Sequence, residues 1–197
     1  ARGAPGPVQG PDCLDHPAYQ QWMKQVVARP PDKQVDAVAK RLQELNPDFD
    51  GKVTRKIENF AVTDLEFLSD NVTDISPVRA LTGLKKLTMK GSAHRSGKLV
   101  DVSPLKGLPL ELLDCTNTQV SELSPLKGMI SLTYLACQNT KVSDLTPLKE
   151  MRLTYLACSG TLVSDLSPLK DMTSLKRLDI FYLEVTDLTP LAGLSLE

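Results

Sequence analysis

Six prolines punctuate the C-terminal two thirds of this chain, at Pro77, Pro104, Pro125, Pro147, Pro168 and Pro190, spaced 27, 21, 22, 21 and 22 residues apart. Each sits in a variant of the phrase Val-Ser-Asp-Leu-Ser-Pro-Leu-Lys. A regular repeat of this length restricts what the chain can fold into. A unit so short cannot bury its own apolar edge, so each copy must stack on the next. Leucine usage marks where this rule begins. Of 32 leucines only Leu14, Leu42 and Leu45 precede residue 62, so two differently built regions join near residues 50–60.

Ahead of each proline runs a second phrase, L-x-x-L-x-L. It reads Val62/Leu65/Phe67, Leu84/Leu87/Met89, Leu110/Leu113/Cys115, Leu132/Leu135/Cys137, Leu153/Leu156/Cys158 and Leu175/Leu178/Ile180. The last two positions of each triplet alternate as a strand requires. A turn must follow, because Val72, Val120, Val142, Val163 and Val185 point back to the same interior. Ser or Thr before proline then reads as the N-cap and first position of a short 3₁₀ turn, kept brief by Gly107 and Gly128. Leu105, Leu126, Leu148 and Leu169 close each rung from the outer side. At ~4.8 Å per parallel strand, six rungs stack to roughly 29 Å.

These phrases resemble the leucine-rich repeat family, in particular its short bacterial class with Ser/Thr-Pro-Leu turns, as in internalin-like proteins. The resemblance covers residues 62–197. It implies an α/β solenoid: a right-handed coil with a parallel β-sheet on the concave side, short 3₁₀ or irregular turns on the convex side and an N-terminal helical cap. Residues 17–91 and the wording Leu-Ser-Pro-Leu-Lys-Gly-Met also resemble the leucine-rich region of large bacterial proteins with a Ser/Thr kinase-like domain upstream, although no kinase motif is present. The chain departs from the family at Thr118, Thr140 and Thr161, where Asn or Cys is usual. A threonine hydroxyl donates a single hydrogen bond to a neighbouring rung's carbonyl, so a weaker inner ladder is expected.

Residues 1–12, with three prolines and three glycines, read as a flexible linker. Residues 13–50 read as a helical cap and 51–61 as a capping strand and turn. Helical spacing runs from Pro17 to Arg29, Pro30-Pro31 interrupts it, and Asp32 is expected to cap a second helix that Asn46-Pro47 ends. Covering the first rung suits these helices better than an independent partner-binding hairpin, because about 35 residues make too small a unit to stand alone. The last rung, with Leu188, Leu191, Leu194 and Leu196, has no lid in this sequence. That reads either as a truncation or as an edge inviting end-to-end self-association.

The candidate chemistry is sparse. The 23 basic and 24 acidic side chains balance, which removes the electrostatic case for nucleic acid, and no apolar stretch is long enough for membrane insertion. Only His16 and His94 are present, and no P-loop, dinucleotide fingerprint or G-x-S-x-G occurs, so no enzyme, cofactor or metal site is expected. Cys115, Cys137 and Cys158 share the slot of Phe67, Met89 and Ile180 and read as free, buried thiols filling the core. Those thiols, and the lack of an apolar signal segment in Ala1 to Pro11, suggest the cytoplasm. Ala1 in place of methionine suggests a processed or excised piece of a longer protein. Cys13 and His16 make two ligands and no site. Asp74, Asp101, Glu122, Asp144, Asp165 and Asp187 are expected to accept from turn N–H groups, and Arg79, Lys106, Lys127, Lys149 and Lys170 to form a solvated convex face.

Two features point to recognition. The segment Gly91–Lys98 carries five extra residues, with His94, Arg95 and Lys98 as candidate contacts. The outward strand positions Leu112, Tyr134, Tyr155 and Arg177, with Asn117, Gln138, Asn139, Phe181 and Tyr182 beyond them, fall on one concave side. Tyrosine among amides and small residues is the chemistry of adaptable protein-binding surfaces. The expectation is a non-catalytic module binding a protein or peptide partner, against a spacer or oligomerisation segment with no specific ligand.

Overall fold

The computed structural model describes residues 16–197. Cys13, and the segment expected to be a linker, lie outside it. Helix α1 (Pro17–Val27) starts with His16, whose Nδ1 accepts from Ala18 N at 3.2 Å. Helix α2 (Pro31–Leu45) starts two residues earlier than expected. Pro30 is its cap residue and makes no side-chain cap bond, while Asp32 lies inside the first turn. The fixed φ of Pro31 nucleates the helix, and Asp32 acts there through the helix dipole rather than as a cap.

Strand β1 (Thr54–Glu58) pairs antiparallel with β2 (Ala61–Glu66) across the turn Asn59-Phe60. Five further strands follow: β3 (Lys86–Thr88), β4 (Leu112–Asp114), β5 (Tyr134–Ala136), β6 (Tyr155–Ala157) and β7 (Arg177–Asp179). They form one seven-stranded sheet in sequence order, parallel from β2 onward. Leu65, Leu87, Leu113, Leu135, Leu156 and Leu178 pair residue for residue, so the leucines lie one above another. The first five are buried, as are Val72, Val120, Val142 and Val163; Leu99 takes this last position in the rung that carries the insertion.

Every rung turns through a 3₁₀ segment: Ser76–Ala80, Ser103–Leu105, Ser124–Leu126, Thr146–Leu148, Ser167–Leu169 and Thr189–Leu191. Here the capping assignment shifts. Ser or Thr is the first residue of the turn, and the aspartate two positions earlier does the capping. Asp74, Asp101, Asp144, Asp165 and Asp187 each accept the backbone N–H of that Ser or Thr at 2.7–2.8 Å. The Thr146 and Thr189 side chains, and then these backbone bonds, hold the exposed Asp144 and Asp187 carboxyls below their ordinary range. Gly107 and Gly128 leave the turn at φ +83° and +77°, and Glu150 takes the same left-handed conformation at φ +75°.

The threonine column also behaves differently from expectation. Thr118, Thr140 and Thr161 donate to Cys115, Cys137 and Cys158 carbonyls at 2.6–2.7 Å, within their own rung. Links between rungs come from the backbone, as in Gln119 N to Leu99 O and Lys141 N to Val120 O, both 2.9 Å. The residues before Thr118 and Thr140 add a side-chain link: Asn139 Nδ2 donates to Asn117 Oδ1 at 2.9 Å.

The cap is mortised onto the first rung by Asn46, which is buried at the end of α2. Its Oδ1 accepts from Thr73 N (2.8 Å) and Asp74 N (3.0 Å), and its Nδ2 donates to Leu42 O and Asp74 O, both 2.8 Å. Tyr19 adds a bond from its hydroxyl to Ser76 O at 2.5 Å. Val26, Val35, Val38 and Leu42 join the apolar core that runs through the rungs. At the other end the core thins out, and Leu188 is 57% exposed.

Candidate recognition surface

The parallel register sorts the outward side chains into columns. One runs Asp64, Lys86, Leu112, Tyr134, Tyr155, Arg177, and the next runs Glu66, Thr88, Asp114, Ala136, Ala157, Asp179. The N-terminal half is therefore charged, while at β5 and β6 the surface is aromatic beside small. Ala136 and Ala157 are buried beside the tyrosines.

Tyr134 and Tyr155 stack rung on rung, with ring centroids 4.3 Å apart and planes 16° from parallel. The Arg177 guanidinium lies 5.5 Å from the Tyr155 ring centre. The Tyr155 hydroxyl donates to Asp179 Oδ2 at 2.6 Å. Burial, then this bond to Asp179, then the neighbouring Tyr134 push the Tyr155 phenol well above its ordinary value. Stacking contributes about 0.5–1.5 kcal/mol and an exposed cation over a ring about 0.5–1 kcal/mol. The four side chains thus form a pre-ordered strip whose aromatic edges stay partly open to solvent.

The other candidates divide. Asn117 and Asn139 sit at φ +63° and +54°, and both are half-buried in the rung-to-rung amide link. Gln138 is half-buried, and its Oε1 accepts from Thr116 Oγ1 at 2.8 Å. Phe181 and Tyr182, on the last rung, are 70% and 93% exposed, and Tyr182 holds φ +59°. His94, Arg95 and Lys98 are exposed on the insertion, which packs down instead of projecting. Ser92 N donates to Asp70 Oδ1 at 3.1 Å, while Gly97 N reaches Asn117 O and Lys98 N reaches Ser69 O, each at 2.9 Å. Gly91 and Gly97 are buried, and a Cβ on either would meet a neighbouring polar atom at 2.5 Å. Arg95 reaches furthest, donating to Gly160 O at 3.2 Å. Sequence reasoning missed Asp179 as the tyrosine's partner and Arg95 as a bridge. The first was readable from the strand register, but the second rests on a contact 65 residues away along the chain.

The thiols of Cys115, Cys137 and Cys158 are free and buried. Burial, reinforced by the charge of Asp114, pushes the Cys115 thiol up to about 12. Among the described residues no group of His, Cys, Asp or Glu is arranged to hold a metal ion, and no helix is long and apolar enough to cross a membrane.

A family model of leucine-rich repeats, two copies, matches residues 110–150. The functional domain of InlJ from Listeria monocytogenes, which includes a cysteine ladder, superposes with a TM-score of 0.50 at 28% identity, over 69% of this chain and 30% of its own. The chain has the fold of a leucine-rich repeat solenoid. The same fold occurs in an internalin (inlF) from Listeria monocytogenes, with a TM-score of 0.55 at 22% identity over 85% of this chain and 57% of that chain. It occurs again in the complex of the Arabidopsis receptor kinase HAESA with the peptide hormone IDA and the co-receptor SERK1, with a TM-score of 0.59 at 15% identity over 90% of this chain and 32% of that one. The chain thus spans less than two thirds of each of these structures. Among curated proteins nothing matches its sequence.

Proposed function

We propose that this leucine-rich repeat solenoid is a non-catalytic recognition module that binds a protein or peptide on its concave face. The observation that carries the reading is the Tyr134–Tyr155 stack, clamped by Arg177 and Asp179 beside the buried Ala136 and Ala157. A strip held in place before a partner arrives loses little side-chain freedom on binding, which is how rigid scaffolds gain affinity. Leu112, Phe181 and Tyr182 extend the contact at either end. The whole unit, helical cap at 13–50 and repeats at 62–197, would serve as the sensing or recruiting part of a larger bacterial, kinase-like protein. The buried free thiols suit a reducing, cytoplasmic setting.

A second reading, a spacer or end-to-end assembly segment, draws on the open edge of β7 and the exposed Leu188. Display of a random dodecapeptide library separates the two. Under the recognition reading the protein enriches aromatic-containing peptides that lose binding to the Y134A/Y155A variant, while its circular dichroism is unchanged. Enrichment of nothing, or binding indifferent to the tyrosines, would leave only the spacer.

A further inference from the structure

Gly160 stands in a column otherwise filled by side chains. Asn139 precedes it by one rung and Asn117 by two, and Tyr182 follows on the next rung. All four hold left-handed backbone, at φ +63°, +54°, +66° and +59°. A Cβ at Gly160 would lie 2.4 Å from Asn139 Oδ1, so the asparagine link itself keeps this position bare. Asn139 Oδ1 thus fills the space a side chain at Gly160 would take, and the Gly160 carbonyl is left to accept from Arg95.

Two kinds of group flank Gly160. From the insertion, Arg95 extends over the rungs of Asn117 and Asn139 to donate to Gly160 O at 3.2 Å, its one hydrogen bond from the guanidinium among the described residues. Its backbone is fixed at φ +53°, and its carbonyl accepts from Gln119 Nε2 at 2.8 Å. On the opposite side Gly160 N donates to Phe181 O at 2.9 Å, which sets the exposed rings of Phe181 and Tyr182 one rung, ~4.8 Å, beyond. No carboxylate lies within 4.0 Å of Arg95, nor of Lys90, Lys98 or Lys141 on the same flank. Asp70, on the first rung beneath the insertion, has its oxygens turned to Ser92 and Ser96. A guanidinium held at both ends of its residue, with most of its N–H groups uncommitted and no acid beside it, is a carboxylate receptor in waiting.

We infer that Arg95, where it lies on Gly160 O, receives an acidic side chain of the bound peptide, with the apolar neighbour of that side chain resting on Phe181 and Tyr182. The inference rests on the concave-face reading and adds a charge requirement to it.

The test uses the full chain and the peptides it selects from a random dodecapeptide library. The expected outcome is enrichment of Asp or Glu beside an aromatic residue. For a selected peptide, R95Q should weaken binding about tenfold, and changing the peptide's acid to its amide should cost the same. The amide peptide should then bind wild type and R95Q equally. Arg95 is exposed, so R95Q should fold normally. Selection without acidic enrichment, or binding unchanged by R95Q while Y134A/Y155A abolishes it, overturns this inference and leaves the tyrosine strip standing. Selection of no peptide at all overturns both.

Discussion

The hydroxyl of Tyr155 donates to the carboxylate of Asp179 across one rung, at 2.6 Å. The bond requires the protonated phenol, and burial and Asp179 both push its pKa up from 10.0. Because the folded value lies above the unfolded one, the stabilisation is present in full below about pH 10 and is lost as pH rises beyond it. Thermal melts between pH 9 and pH 11 should show a steeper loss of Tm for wild type than for Y155F. Parallel curves would mean the bond contributes nothing in solution.

Asn46 joins cap to coil through both ends of one buried amide. Asn46→Ala leaves two backbone N–H groups, on Thr73 and Asp74, without that acceptor. At ~1–3 kcal/mol for each buried unsatisfied group, offset in part by water, the variant should lose about 3 kcal/mol in urea denaturation. A loss under about 0.5 kcal/mol would show that the cap is held by its apolar contacts alone.

Glu150 occupies the left-handed position that Gly107 and Gly128 fill in earlier rungs. Around those glycines nothing lies within 4 Å of an added Cβ, so the conformational preference acts without steric interference. Glu150→Gly should therefore raise stability by about 0.5–1 kcal/mol, and Gly128→Ala should lower it by about 1 kcal/mol, by denaturant titration. A destabilised E150G would mean that the Glu150 side chain makes contacts worth more than the strain.

The thiol column is chemically quiet for a stated reason. Burial disfavours the thiolate and lifts Cys115 and Cys158 to about 12. A thiol reagent at pH 8 should leave Cys115, Cys137 and Cys158 unmodified in the native protein and modify all three in denaturant, read by mass spectrometry of peptides. Rapid native labelling at any of them would contradict the closed core.

Much of this was legible in the sequence because a repeat states its rule several times over. The leucine, valine and cysteine columns and the placing of Tyr134 above Tyr155 follow from the period and from strand alternation alone. What stayed hidden is what occurs once. Asn46 reads as a helix stop before Pro47, and its bonds to Thr73 and Asp74 have no periodic signature. The insertion reads as a loop tip, yet two buried glycines let it lie flat and carry Arg95 to Gly160. The threonines were misread for a different reason: a hydroxyl three residues past a strand carbonyl closes a local ring before it can reach the next rung.

The central claim is that partners dock on the concave strip from β4 to β7. Hydrogen–deuterium exchange of the protein with a selected peptide tests it most directly. The account predicts slowed exchange in residues 112–118, 134–140, 155–161 and 177–182, with the 3₁₀ turns from Ser103 to Leu191 unchanged. Protection on those convex turns, or on α1 and α2, with the strands unaffected, would contradict it.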